Sequence, residues 1–461
     1  MPNGILEDLK ELLQIESVKG EPEPDAPYGK GPKAALDWFL KKAAAYGLKT
    51  GSLDNRCGWA ETGAGKGLAG VLCHLDVVPA GGGWSYNPYG LTLDGGVLYG
   101  RGVVDDKGST VAALHALKRL HDGGINPGRR VRLIVGCDEE NGSSCMAHYA
   151  ANGERPDFSI VPDADFPVIN SEKGILHLRL DINADEAFTD SVAAVKAGGA
   201  INVVPDLCEA RIPKSSPAAD ELKRLFDDEP RLIKTVASLG YGRGDFTLSE
   251  FEDGFTLQTR GTAGHAMAPE KADNAVHKLF GLLCRLDALA ASPSAQAVNS
   301  MFCEPLGPER LGIAAADKKS GALTMSLDRI EYKKPILSLW LDLRLPLCID
   351  KNTVVNNIGA RLPRDSALEI LHFSPNLYVD EKSPLITALL NVYEKATGQK
   401  GYTVQSGGGT YARALPNAVA FGPTFPGAVT DIHNADEHIG LAEFNMLSEI
   451  YYTAIIAIAK L

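Results

Sequence analysis

The sequence predicts an α/β protein in which a mostly parallel, helix-flanked sheet is interrupted by an inserted α+β unit. Three observations carry that prediction. Strand-like apolar runs alternate with helical patterns as far as residue 161, a rhythm that favours a parallel sheet with right-handed crossovers. After Lys173 strands and helices stop alternating one for one. At 383–397 the earlier rhythm returns, and 440–460 reads as a strong C-terminal helix. The expected division is one domain from 1–175 and 375–461, with a second, 176–374, inserted into it.

The elements follow in order. Leu6, Leu9, Leu12 and Leu13 give helical periodicity over 4–14, and Ala34, Leu36, Phe39 and Leu40 give it over 33–47. A strand is expected at 69–77, then a long turn region from Pro79 to Gly102. An Ala- and Leu-rich helix at 109–122 leads to a strand at 130–137, a short helix at 143–151 and a strand at 157–161. The inserted unit reads as strands at 174–182, 192–198 and 206–212, helices at 217–227 and 229–239, and a strand pair over 246–260. A long helix at 272–291, strands at 322–331 and 335–345, and a helix at 352–362 complete it.

Composition bounds the function classes. The 461 residues are 44% hydrophobic and 23% charged, as in ordinary globular proteins. A net charge of −12 argues against nucleic acid and anionic membrane as partners. No stretch approaches the roughly 18 apolar residues of a membrane span, and the N-terminus lacks a signal-peptide pattern. The eight cysteines form no C-x-x-C pair and read as reduced thiols of a cytoplasmic protein. A cysteine-based zinc site is not expected.

The chemistry starts at Val71-Leu-Cys-His-Leu-Asp-Val-Val-Pro79. Strand alternation puts His74 and Asp76 on one face, where a carboxylate can fix the tautomer of a ligating imidazole. A satisfied core histidine is the plainer alternative. Gly100-Arg-Gly-Val-Val-Asp-Asp-Lys-Gly108 offers Asp105 and Asp106 either as helix-start charges or as a metal bridge. Cys137-Asp-Glu-Glu-Asn-Gly142 ends a strand as either a solvated loop or a ligand beside a general base. Asp163 follows the next strand, and His433 lies in a polar loop that could equally be an ordinary helix entry. Two His, at least three carboxylates and no Cys suit Zn²⁺, with Mn²⁺ or Co²⁺ as substitutes.

These stretches resemble the zinc-dependent peptidase family of aminoacylase, glutamate carboxypeptidase and bacterial dipeptidases. The chain is most similar to its PepV-like, carnosinase-related dipeptidase branch. Further matching stretches are PAGGGWSYNPY at 79–89, AINVVPD at 200–206, GTAGHAMAPE at 261–270, LDLRLP at 341–346 and SGGGTYAR at 406–413. Together they span nearly the whole chain. The resemblance implies a catalytic domain with a di-metal site at the strand C-termini and an inserted lid. It implies two Zn²⁺ per chain, one on His74, Asp105 and Asp163 and one on Asp105, Glu140 and His433. Asp76 would orient His74, and the Asp105–Asp106 peptide would be cis. A metal-bridging water would attack the peptide bond, with Glu139 as general base and His265 stabilising the oxyanion. Asn202, Arg344, Gly407 and Gly408 would hold the substrate, an unblocked dipeptide, with Arg344 on its carboxylate. The enlarged lid implies a monomer, its closure excluding water. Two departures are bulky Val103-Val104 before the acids and Gly198-Gly-Ala200 before Asn202.

Three rival readings stand beside the dipeptidase. One is an N-acyl amino acid deacylase or desuccinylase on the same site. Another is a non-catalytic metal- or peptide-binding protein, against which the base Glu139 argues. A nucleotide-binding protein fails, because Gly63-Ala-Gly-Lys-Gly67 lacks the Ser or Thr of a phosphate loop.

Overall fold

A computed structural model describes residues 4–461. The chain forms two compact units, Met1–Ser171 with Leu377–Leu461, and Glu172–Asn376. Each has its own apolar core.

The first unit is built on a nine-stranded sheet. Its central strands Arg130–Gly136, Leu68–His74, Phe158–Val161 and Ala418–Ala420 are neighbours in that order and run parallel. All of Leu68–His74 is buried. Its continuous apolar run is what a strand covered on both faces requires. The helices Lys107–Asp122 and Leu441–Ala459 pack on it and on each other. An outer hairpin, Lys49–Leu53 with Cys57–Thr62, adds antiparallel strands absent from the sequence expectation. Asp54 and Asn55 take left-handed backbone at its turn, the conformation that a tight hairpin favours.

Parallel register fixes where the chemistry gathers. His74 pairs with Gly136, and Val71 with Ile160. Three neighbouring strands therefore end at one edge, and the loops beyond them carry Asp76, Glu139 with Glu140, and Asp163. That edge is where open α/β sheets place their ligands.

The second unit is an eight-stranded sheet, wholly antiparallel among its paired strands. Here alternation is clean: Leu176, Leu178, Leu180 and Ile182 of Gly174–Asn183 are buried, and the residues between them are less so. One face is apolar, against helices such as Ala275–Leu283. The long helix expected at 272–291 is broken into Ala275–Leu283 and Asp287–Ala290. Leu286 turns into extended backbone and is buried. The Glu221 carboxylate then accepts the N–H of Asp287 at 2.8 Å and restarts the helix. No Pro or Gly marks this break, which is set by a distant side chain.

Asp328, in the strand Thr324–Lys333, is fully buried, with one carboxylate oxygen bonded to Ser326. The other has no hydrogen-bond partner among the described residues. Burial raises its pKa from 3.8 to about 7. The native state thus binds this proton more tightly than the unfolded chain. Stability is highest below about pH 4 on this account and falls as pH rises to about 7, by on the order of a few kcal/mol. Asp328→Asn should therefore melt above the wild type at pH 8, with the gap closing by pH 4. An equal gap at both pH values in calorimetry would contradict this.

No helix among the described residues is long and apolar enough to cross a membrane. All eight cysteines are free, and all but Cys284 and Cys348 are buried.

Candidate active site

His74 is the last residue of its strand and is fully buried. Its Nδ1 lies 2.9 Å from the Asp76 main-chain carbonyl and 3.6 Å from the Asp76 carboxylate. A carbonyl only accepts, so Nδ1 carries a proton and Nε2 turns toward the acids. Nε2 lies 2.7 Å from Asp105 Oδ1 and 3.7 Å from Asp163 Oδ1. Burial opposes charge on this ring, but Asp105, Asp163 and Asp76 outweigh it and hold its pKa well above the ordinary value. The Asp76 carboxylate accepts the N–H groups of Glu139 at 3.0 Å and Glu140 at 3.1 Å. It thereby ties the end of one strand to the loop after its neighbour.

Asp105 stands between two imidazoles. Its Oδ1 faces His74, and its Oδ2 lies 3.0 Å from His433 Nε2. Burial works against its charge, yet His433 and His74 hold its pKa well below the usual carboxylate range. The Asp105–Asp106 peptide is cis. Asp106 occupies the helix N-cap without giving a side-chain cap bond. It accepts the His74 N–H at 3.1 Å instead, so the acid pair is not simply a helix start. Gly102 has φ +87°, and a Cβ at Gly108 would come within 2.0 Å of the Val103 carbonyl oxygen. Both positions therefore require glycine.

Adjacent Glu139 and Glu140 serve different neighbours. Donor atoms of His74, Glu139 and Asp163 lie within 4.8 Å of one another, as do those of His74, Asp105 and Glu140. Glu140 also lies 3.1 Å from His433 Nε2. Burial first, then the nearby Asp163, pushes the Glu139 pKa well up. Burial and Asp105 raise Glu140 to about 7 and Asp163 to about 6. The half-exposed His433 is raised to about 10, as Asp105 and Glu140 overcome its desolvation. Asp138, the first acid of the triplet, points elsewhere and is buried against Lys19 at 2.7 Å and Ser144.

The other expected residues lie apart from this cluster in sequence. His265 and Val203 pair in a two-stranded ribbon of the second unit, and the Asn202 carbonyl accepts the Ala266 N–H at 2.9 Å. Asn202 and His265 are thus held beside each other at one exposed ribbon. Arg344 is buried rather than a surface charge, and its guanidinium forks onto Asp342 at 2.6 and 2.7 Å. In the first unit, the Gly408 N–H donates to Ser406 Oγ at 3.0 Å, and the Gly408 carbonyl accepts from Arg413. This fixes the Gly407–Gly408 turn. Sequence reasoning passed over Asp342 and Glu437. The i, i+2 spacing of Asp342 and Arg344 along a strand was a usable signal. Glu437 gave no local one.

The donor set fits divalent metal. Asp105, Glu139, Glu140 and Asp163 crowd around two imidazoles; burial first, and then neighbouring carboxylates, raise the pKa values of Glu139, Glu140 and Asp163. Carboxylate and imidazole donors without a thiolate suit zinc or its neighbours. The model of peptidase family M20/M25/M40 matches residues 70–457. The YtjP protein of Bacillus subtilis (strain 168), provisionally named a dipeptidase, is 34% identical over 466 positions, covering 99% of this chain and 97% of its own. The chain belongs to peptidase family M20/M25/M40. Among solved structures, the M20 family metallo-carboxypeptidase Sso-CP2 of Sulfolobus solfataricus superposes with TM-score 0.59 at 16% identity, with 100% of both chains covered. Human carnosine dipeptidase 1 gives 0.57 at 13% identity, covering 100% of this chain and 97% of its own. These two likenesses speak for the fold alone.

Proposed function

We propose that this peptidase is a dipeptidase holding two zinc ions and cleaving unblocked dipeptides. The observation that carries the reading is Asp105, whose two carboxylate oxygens face His74 and His433 separately. His74 and Asp163 would hold one ion with Asp105, and Glu140 and His433 would hold the other with it. Such a pair, when bound, polarises a carbonyl and makes a water nucleophilic near neutral pH. Glu139 is the proposed general base: its half-buried carboxylate takes the water's proton and passes it to the leaving amine. Asp76 positions both Glu139 and His74 through the contacts above.

The Nδ1 of His265 lies 3.0 Å from the Met267 N–H and accepts from it. That leaves the ring proton on Nε2, a donor suited to an oxyanion. Arg344, oriented by Asp342, is read as the partner of the substrate carboxylate, and Asn202 with Gly407 and Gly408 as further substrate contacts. The division into a catalytic domain and an inserted lid belongs to the same reading. So does a cytoplasmic monomer, supported by the long inserted segment and the free thiols.

The dipeptide assignment draws on the YtjP name. N-acyl amino acid deacylation or desuccinylation would use the same base and cations. Amine release from dipeptides, tripeptides and N-acyl amino acids separates them, on zinc-loaded protein with and without chelator. Chelator-sensitive cleavage confined to dipeptides is expected. Cleavage of N-acyl amino acids alone would overturn the dipeptidase reading, and turnover of no substrate with zinc bound would favour a binding protein.

A further inference from the structure

Glu437 is fully buried, in the loop that carries His433. Both of its carboxylate oxygens are filled by donors from the stretch that carries Asp105. Oε2 accepts from Arg101 Nη1 at 2.7 Å and the Gly102 N–H at 3.0 Å. Oε1 accepts the N–H of Val104 at 2.9 Å and that of Asp105 itself at 3.1 Å. The Glu437 main-chain carbonyl takes the Gly100 N–H at 3.1 Å. Arg101, buried beneath Trp84, donates its second terminal nitrogen to the Asn434 carbonyl at 3.0 Å, one residue beyond His433.

Neither joined segment is regular structure. Asp431, His433 and Asp436 all take left-handed backbone at φ +49°, +66° and +59°, as does Gly102. Conformations of that kind persist where surrounding contacts over-determine them. A buried carboxylate with four donors is such a contact, and removing its acceptor capacity leaves buried N–H groups unpaired. The donors it collects end at the amide of Asp105. Its own loop delivers His433 to Asp105 Oδ2.

We propose that Glu437 is a positioning residue, clasping the His433 loop to the Gly100–Asp105 turn so that Asp105 and His433 face one cation together. The inference rests on the two-zinc reading above. Glu437→Gln keeps the volume but turns an NH₂ group onto N–H donors. The expected result is a folded protein that binds one of its two zinc ions about 10–100-fold more weakly, the range for partners that orient metal ligands. Arg101→Met leaves three backbone donors on Glu437 and should give an intermediate loss. Zinc affinities are read by competition with a chromophoric chelator well below the melting temperature, so that neither turnover nor global stability enters. Wild-type affinity for both ions in folded Glu437→Gln overturns the inference alone. If that variant does not fold, unchanged affinity in Arg101→Met overturns it. Fewer than two ions on the wild type overturns the two-zinc reading and this inference with it.

Discussion

Glu139→Gln is expected to lower dipeptide turnover by about 10²–10⁴-fold, the contribution of a positioned acid–base group, while leaving zinc content unchanged. The reasoning lies in the placement of the two neighbours. Glu140 lies 3.1 Å from His433, and its loss would disturb a ligand set. Glu139 groups with His74 and Asp163, and its main-chain N–H is held by Asp76 whatever its own side chain. Gln keeps the volume and removes only the ability to take a proton. KM should change far less than kcat, because the interaction is made in the transition state. Loss of zinc from this variant would make Glu139 a ligand. Retained turnover would place the base elsewhere.

Asp105→Asn should act through the opposite route. Its carboxylate contacts both His74 and His433, so one substitution weakens both cation positions. Zinc affinity should fall by more than about 10²-fold, beyond the range typical of groups that only orient ligands. Turnover at saturating dipeptide should fall to background with it. Equilibrium dialysis with metal analysis checks the first, and amine release the second. Two zinc ions retained at wild-type affinity would remove Asp105 from the ligand set. The pair is diagnostic: one variant loses activity with metal intact, the other loses both.

The fold class was legible because its two sheets write different patterns. Leu68–His74 is a continuous buried run and Gly174–Asn183 alternates, the signatures of two-sided and one-sided burial. Helix ends were legible where local chemistry sets them, as at Ser383-Pro384 and Gly398 around the helix Pro384–Thr397. The break after Leu283 was not, because Glu221 caps it from another helix. The hairpin at 49–62 was missed although Asp54-Asn55 is a turn signal. The acids that gather around His74 were named from local stretches at strand ends, with a family resemblance supplying their roles. What holds them was legible only in part: Asp76 is expected from the sequence to orient His74 with its carboxylate, yet its main-chain carbonyl is the nearer acceptor. Asp76 works through its carbonyl on His74 and its carboxylate on a neighbouring loop. Glu437 binds groups more than three hundred residues away. Contacts at such separation leave no periodicity or spacing in the chain.

The most direct test of the account is a zinc titration of chelator-stripped protein, followed by hydrolysis of one unblocked dipeptide. The account predicts no turnover without metal and a rise that saturates at two zinc ions per chain. Full turnover in the stripped protein, or saturation with no dependence on a second ion, would contradict it.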